Sequence, residues 1–72
     1  MNTLRAAQFV NKGGFIRHDD MTYSRCYGLN EHGQPAEFYA GSETGSVPYV
    51  RVSDIFRKDW VKCDINGIEV TP

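Results

Sequence analysis

The chain has no long hydrophobic run, no CxxC or HxxxH spacing, no excess of one charge and only one tryptophan. The first absence excludes a helical membrane span, which needs roughly 20 consecutive apolar residues. The second leaves two cysteines, Cys26 and Cys63, far apart in sequence. Neither a zinc site nor a disulfide scaffold is expected from them. Free thiols in a reducing cytoplasm fit that usage, with a single Cys26–Cys63 bridge as the lesser alternative. No charged stretch leading into an apolar one opens the chain, so there is no sign of a signal peptide. Eight basic and nine acidic residues are interspersed and leave a net charge of -1. That is not the basic footprint of a protein that binds duplex nucleic acid.

What is present points to one domain spanning residues 1–72. A domain this small buries only about 60% of its unfolded surface. Association with further copies is the simplest way for it to add buried area.

"TLRAAQFVNKGG" predicts a short helix, with Ala6, Ala7, Val10 and, at the flank, Phe9 on its apolar face. Asn2 or Thr3 can cap its start, and Gly13–Gly14 end it. "FIRH" reads as a strand and "DDM" as a turn. "TYSRCYGL" alternates, with Tyr23, Arg25 and Tyr27 on one face and Ser24 and Cys26 on the other. "NEHGQP" is turn chemistry, and "AEFYA" is the returning strand. Phe38 and Tyr39 are adjacent on it, so at most one enters the core. "GSETGS" reads as a polar loop and "VPYVRV" as extended. "SDIFRKDW" predicts one or two helical turns capped by Ser53, with Ile55 and Phe56 toward the core and Arg57, Lys58 and Asp59 as a solvated end. Asn66–Gly67, between two β-rich runs, is a strong hairpin signal of the type I′ kind. The expected fold is α+β: a small, mainly antiparallel sheet, one N-terminal helix and a short helical turn before a C-terminal hairpin.

Few residues suggest chemistry. "RHDD" places His18 beside two carboxylates, which suits a general base or a metal ligand, but reads more simply as a solvated turn. His32 sits in a glycine–proline turn. "GSETGS" can offer backbone donors to a phosphate, or serve as a plain connector. No nucleophile–base motif stands out, and no catalytic residue, metal or cofactor is expected. The aromatics are numerous for the length and suit core filling, stacking or subunit contact.

Two segments carry a resemblance. "MNTLRAAQFVNKGGFIRHDDM" and "RVSDIFRKDWVKCD" resemble the opening and closing segments of a family of small phage proteins, the Thoeris anti-defence sponges of the second type. Ala6, Val10, Gly13, Ile16 and Arg17 fall on the first pattern, and Ser53, Asp54, Ile55, Phe56, Asp59, Trp60 and Val61 on the second. The two together span about half the chain, and the middle matches only in style. The resemblance implies a protein acting in the cytoplasm of an infected bacterial host. It would bind a cyclic nucleotide or ADP-ribose-derived signal molecule without cleaving it, as a homo-oligomer with pockets between protomers. In that setting Arg17 or Arg51 would pair with phosphate. Tyr23, Tyr49 and Trp60 would stack on or line the base site, beside Asp59 of the "DW" signature. Residues 41 to 45 would supply backbone donors. Met21 stands where the family has a stacking tryptophan, and Asp20 where it has glycine, so the ligand can differ even if the fold is shared. A second expectation is a protein inhibitor of a host defence or CRISPR nuclease, with Asp19, Asp20, Glu31, Glu37 and Glu43 imitating nucleic-acid charge.

Overall fold

A computed structural model describes residues 1–47 and 52–70. Tyr49, Arg51 and most of the expected "VPYVRV" strand lie outside the described residues, as does the end of the last hairpin.

Helix α1 spans Thr3–Asn11. Asn2 caps it, its side-chain oxygen accepting the Arg5 N–H at 2.9 Å. The far end closes by a paired motif: Gly13 N–H donates to Val10 O and Gly14 N–H to Phe9 O, with Gly13 in the left-handed region. The buried face is not quite the expected one. Ala6 is buried, Thr3, Phe9 and Val10 are half-buried, and Ala7 is exposed. Thr3, one turn before Ala6, takes the place assigned to Ala7.

Five strands follow: β1 Phe15–Arg17, β2 Arg25–Leu29, β3 Pro35–Tyr39, β4 Ser42–Ser46 and, after a short helix α2 at Val52–Ile55, β5 Val61–Cys63. They form one antiparallel sheet in the order β4-β3-β2-β1-β5. The α+β architecture read from the sequence is the one observed. The chain meanders from β1 to β4, then crosses by way of α2 to the opposite edge.

Alternation separates two cores. Ile16 pairs across the sheet with Tyr27 and with Lys62. Ile16 and Trp60 pack with Ala6, Phe9, Val10 and Tyr27 under the helix. On the far face Phe15, Cys26, Ala36, Phe38 and Cys63 pack together. The Phe15 ring lies across Gly28, where a Cβ would meet it at 2.2 Å, and stands edge-on to Phe38 at 5.3 Å. Phe38 is buried and Tyr39 exposed, as their adjacency requires.

Several local expectations are corrected. "SETGS" is not a loop but edge strand β4, exposed along its whole length. An edge strand with both faces in water shows no hydrophobic alternation to read. Tyr23 does not share the strand face of Arg25 and Tyr27: Ser24 turns through φ +70, leaving Tyr23 in the preceding turn. Ser53 lies inside α2 rather than capping it. Ile55 and Phe56 point outward, 54% and 77% exposed. The type I′ turn is at Ala40–Gly41, where both φ angles are positive, not at Asn66–Gly67, where only Gly67 is.

The Asn66–Gly67 turn instead repeats the β2–β3 turn. Asn30 N–H donates to Gln34 O, Gly33 N–H to Asn30 O, and Asn30 Oδ1 accepts from His32 and Gln34 N–H. Asp64 makes the same set with Ile68, Gly67 and Asn66. Each is a three-residue loop closed by a left-handed glycine. The second one folds over the far face, and its return is a single bridge between Cys63 and Glu69.

Candidate ligand-binding groove

Helix α1 packs against β1 and β2. Beyond it, the helix-side face of β2, β3 and β4 forms a groove of about 530 Å³. Ala6, Val10 and Asn11 form one wall, and Thr44 to Val47 the other. Tyr27, Leu29, Pro35 and Glu37 lie along the floor, with Trp60 and Asp54 at one end. Register explains the floor: Tyr27 pairs with Glu37 and Glu37 with Gly45, so one row of one face crosses three strands.

A second, polar cavity of about 460 Å³ adjoins it and shares Tyr27, Glu37 and Asp54. Its remaining walls are His18, Asp20, Met21, Thr22, Arg25 and Arg57. Arg57 is its hub, with a side chain only 18% exposed. It donates to Asp20 at 2.6 Å, to Asp59 at 2.8 and 3.0 Å and to Asp54 at 3.3 Å. The hydrogen bonds to Asp20, then Asp59, hold the guanidinium firmly charged. Burial alone would push the Asp59 carboxyl up, but the Arg57 bonds and nearby backbone N–H groups together hold it below its ordinary value. Arg25 bonds Glu37 through one nitrogen and lies over the Tyr39 ring at 5.3 Å.

His18 is buried, not part of a solvated turn. It stands edge-on to Trp60 at 4.9 Å, and its Nδ1 accepts the Asp20 N–H at 3.2 Å. Desolvation, helped by the Arg57 charge, lowers its pKa from 6.5.

Trp60 is a plug. It is 5% exposed, its Nε1 donates to Thr3 Oγ1 at 2.9 Å, and that hydroxyl donates to Asp54 O. The backbone is tied as well: Trp60 N–H donates to Met1 O, and the Met1 ammonium to Trp60 O. Trp60 reaches the groove only at its end.

The residues singled out from the sequence therefore divide. Trp60, Met21 and Asp59 gather around His18 and Arg57. Arg17 lies on the far face, its guanidinium donating to Gly67 O and Met21 O. Tyr23 is 76% exposed in the turn before β2. Tyr49 and Arg51 lie outside the described residues. Tyr27 and Glu37 lie on the groove floor and, with Arg25, line the polar cavity; none of the three was singled out in the sequence as a ligand-binding residue. The alternation of "RCYGL" and "PAEFY" carried that signal. Arg57 was read as solvated, because its partner Asp20 is distant in sequence.

The thiols face away from the groove. Cys26 and Cys63 are free and belong to the far core. Among the described residues no group of three or more His, Cys, Asp or Glu side chains is placed to hold a metal ion, and no helix is long and apolar enough to cross a membrane. No family model, curated protein or solved structure matches the chain.

Proposed function

We propose that the protein is a sponge: it holds a cyclic nucleotide or ADP-ribose-derived signal molecule without converting it, as an anti-defence protein in the cytoplasm of an infected bacterial host. The observation that carries this reading is the open groove with Tyr27 on its floor, continuous with a polar cavity edged by Arg25. Concave surfaces that mix an aromatic floor with a few polar groups are the usual form of small-molecule sites. The resemblance of the chain's two ends to the sponge family supplies the ligand class.

In this reading Tyr27 faces the base, and Thr44 and Asn11 offer side-chain hydrogen bonds along the groove walls. The phosphate role expected of Arg17 passes to Arg25, because Arg17 is committed to carbonyls on the far face. Trp60 supports the site from beneath. Homo-oligomer formation is part of the same proposal. It is supported by the exposed β4 edge and by apolar side chains left in water at Leu4, Ile55 and Phe56.

A thermal-shift panel of cyclic nucleotides and ADP-ribose derivatives tests the reading. A ligand at 100 times its Kd stabilises by about 2.7 kcal/mol, which raises the Tm of so small a domain by about 10 °C or more. No shift with any member at about 100 μM, the concentration that saturates a low-micromolar site, would count against it.

The second reading, inhibition of a defence or CRISPR nuclease by direct contact, draws on one observation. Phe56 is 77% exposed beside Ile55. Its acidic side is weaker, since Asp20 and Glu37 are already paired with Arg57 and Arg25. Capture of a nuclease from host lysate by the wild type but not by Phe56→Ser would favour it.

A further inference from the structure

The groove and the polar cavity meet along one strip of sheet. Tyr27 and Arg25 are two residues apart on β2, on the same side of the sheet, so about 7 Å separates their Cα atoms. Tyr27 lines both spaces and Arg25 only the polar one. Glu37 pairs with Tyr27 across β3 and also lines both. Its Oε1 accepts from Arg25 Nη1, and Thr44 Oγ1, on the groove wall, lies 3.4 Å from the same oxygen. The carboxylate is thus held from two sides at the boundary between the spaces.

Arg57 commits Nε, Nη1 and Nη2 to Asp54, Asp59 and Asp20. Arg25 makes one side-chain hydrogen bond among the described residues, and its side chain is 37% exposed. The rest of its fork is left for water or a ligand, which suits the phosphate role. Yet a phosphate there meets a guanidinium whose charge Glu37 already balances. Around the cavity Asp20, Glu37 and Asp54 stand against Arg25 and Arg57. The site offers an anion hydrogen bonds but no surplus of positive charge. A phosphodiester, or a phosphate inside a pyrophosphate bridge, carries one negative charge. A terminal phosphomonoester carries about 1.5 to 2 at pH 7. That second charge has no cation of its own. At about 5 Å from a carboxylate it costs roughly fourfold in affinity even at the dielectric of water.

Resting on the sponge reading, we infer that Glu37 is a charge filter beside Arg25: it admits a singly charged, internal phosphate and disfavours a doubly charged, terminal one. With the base against Tyr27, the phosphate that reaches Arg25 is one joined to the same nucleoside, since the two side chains stand one strand repeat apart. Glu37 stays beside Arg25 when the phosphate arrives, because Thr44 and its place opposite Tyr27 hold it there. It is a specificity residue and takes part in no bond making or breaking.

Cyclic AMP and AMP are the probes, because they share base and sugar and differ in phosphate charge. The experiment is a calorimetric titration of the full chain with each, and with ADP-ribose, at low and at high salt. The expected result is that the wild type binds cyclic AMP about fourfold or more tightly than AMP at low salt. The ratio narrows at about 1 M salt, where the Debye length falls to about 3 Å. Glu37→Gln tightens AMP more than cyclic AMP and brings the ratio toward one, while Arg25→Gln weakens both. The salt series on the wild type decides the matter if Glu37→Gln does not fold. AMP bound as tightly as cyclic AMP overturns this inference and leaves the groove reading intact. So does a ratio unmoved by Glu37→Gln, or by salt where that variant does not fold. No binding of cyclic AMP, AMP or ADP-ribose to the wild type overturns both.

Discussion

Trp60 and Thr3 are joined by a hydrogen bond of 2.9 Å from indole Nε1 to hydroxyl, and the same hydroxyl bonds the backbone of Asp54. One threonine thus links the first turn of α1, the end of α2 and the entry to β5. Burying an indole requires a partner for its N–H, and Thr3 supplies it from the other end of the chain. Thr3→Val removes both bonds at nearly constant volume. It should cost about 1–3 kcal/mol in a denaturant titration, the penalty for orphaning a buried donor. Trp60→Phe should cost a similar amount and leave the fold intact. Trp60→Ala should cost about 3–5 kcal/mol and unfold much of a marginally stable domain at room temperature.

Acidification should weaken the protein in two stages. The folded-state pKa of His18 lies below 6.5. The unfolded chain therefore binds the extra proton first, and stability that is complete above pH 6.5 falls as pH drops below that value toward the folded pKa. Asp59, held below its ordinary 3.8, adds a second loss under that pH, where its bonds to Arg57 are protonated away. His18→Phe should flatten the first stage and leave the second. Melting temperatures from pH 8 to 3 measure both.

The two thiols should remain reduced and slow to react. Cys26 is on β2 and Cys63 on β5, with β1 between them. Their side chains meet in the far core and hydrogen-bond each other, yet both thiols are free rather than joined as a disulfide. Burial pushes the Cys63 thiol up to about 12 and also raises Cys26, so little reactive thiolate forms. A disulfide-exchange reagent should titrate two thiols in denaturant and neither at a comparable rate in native buffer.

The twin turns allow a controlled comparison. Gly33 and Gly67 have φ of +74 and +78. A Cβ on Gly33 meets nothing, while one on Gly67 comes within 2.9 Å of Ser24 and 3.1 Å of Arg25 O. Gly33→Ala should cost about 1 kcal/mol, the left-handed penalty alone. Gly67→Ala should cost clearly more, because backbone must move. Equal losses would mean the C-terminal turn does not rest on the Ser24 corner.

The sequence made the fold legible wherever burial leaves a pattern. α1, β1, β2 and β3 each bury one face, and their apolar spacing showed it. β4 buries neither face, so its residues carry only turn-like composition. Asn66–Gly67 was read as type I′ from its dipeptide, but Asp64 decides that turn by bonding two N–H groups ahead of it, as Asn30 does in the other. Around the groove, alternation placed Arg25 beside Tyr27. No local signal could place Arg57 against Asp20, or His18 against Trp60, since those contacts form only when the chain returns to β1 through β5.

The central claim is that the groove holds a nucleotide-type ligand and returns it unchanged. Calorimetric titration with cyclic ADP-ribose and its glycosylated forms, followed by heat release and mass analysis of the recovered molecule, tests it most directly. The account predicts saturable binding, weakened about tenfold or more by Tyr27→Leu, a loss of the order attributed to one base–aromatic stack, with the ligand recovered intact. Absence of binding, or recovery of a cleaved product, would contradict it.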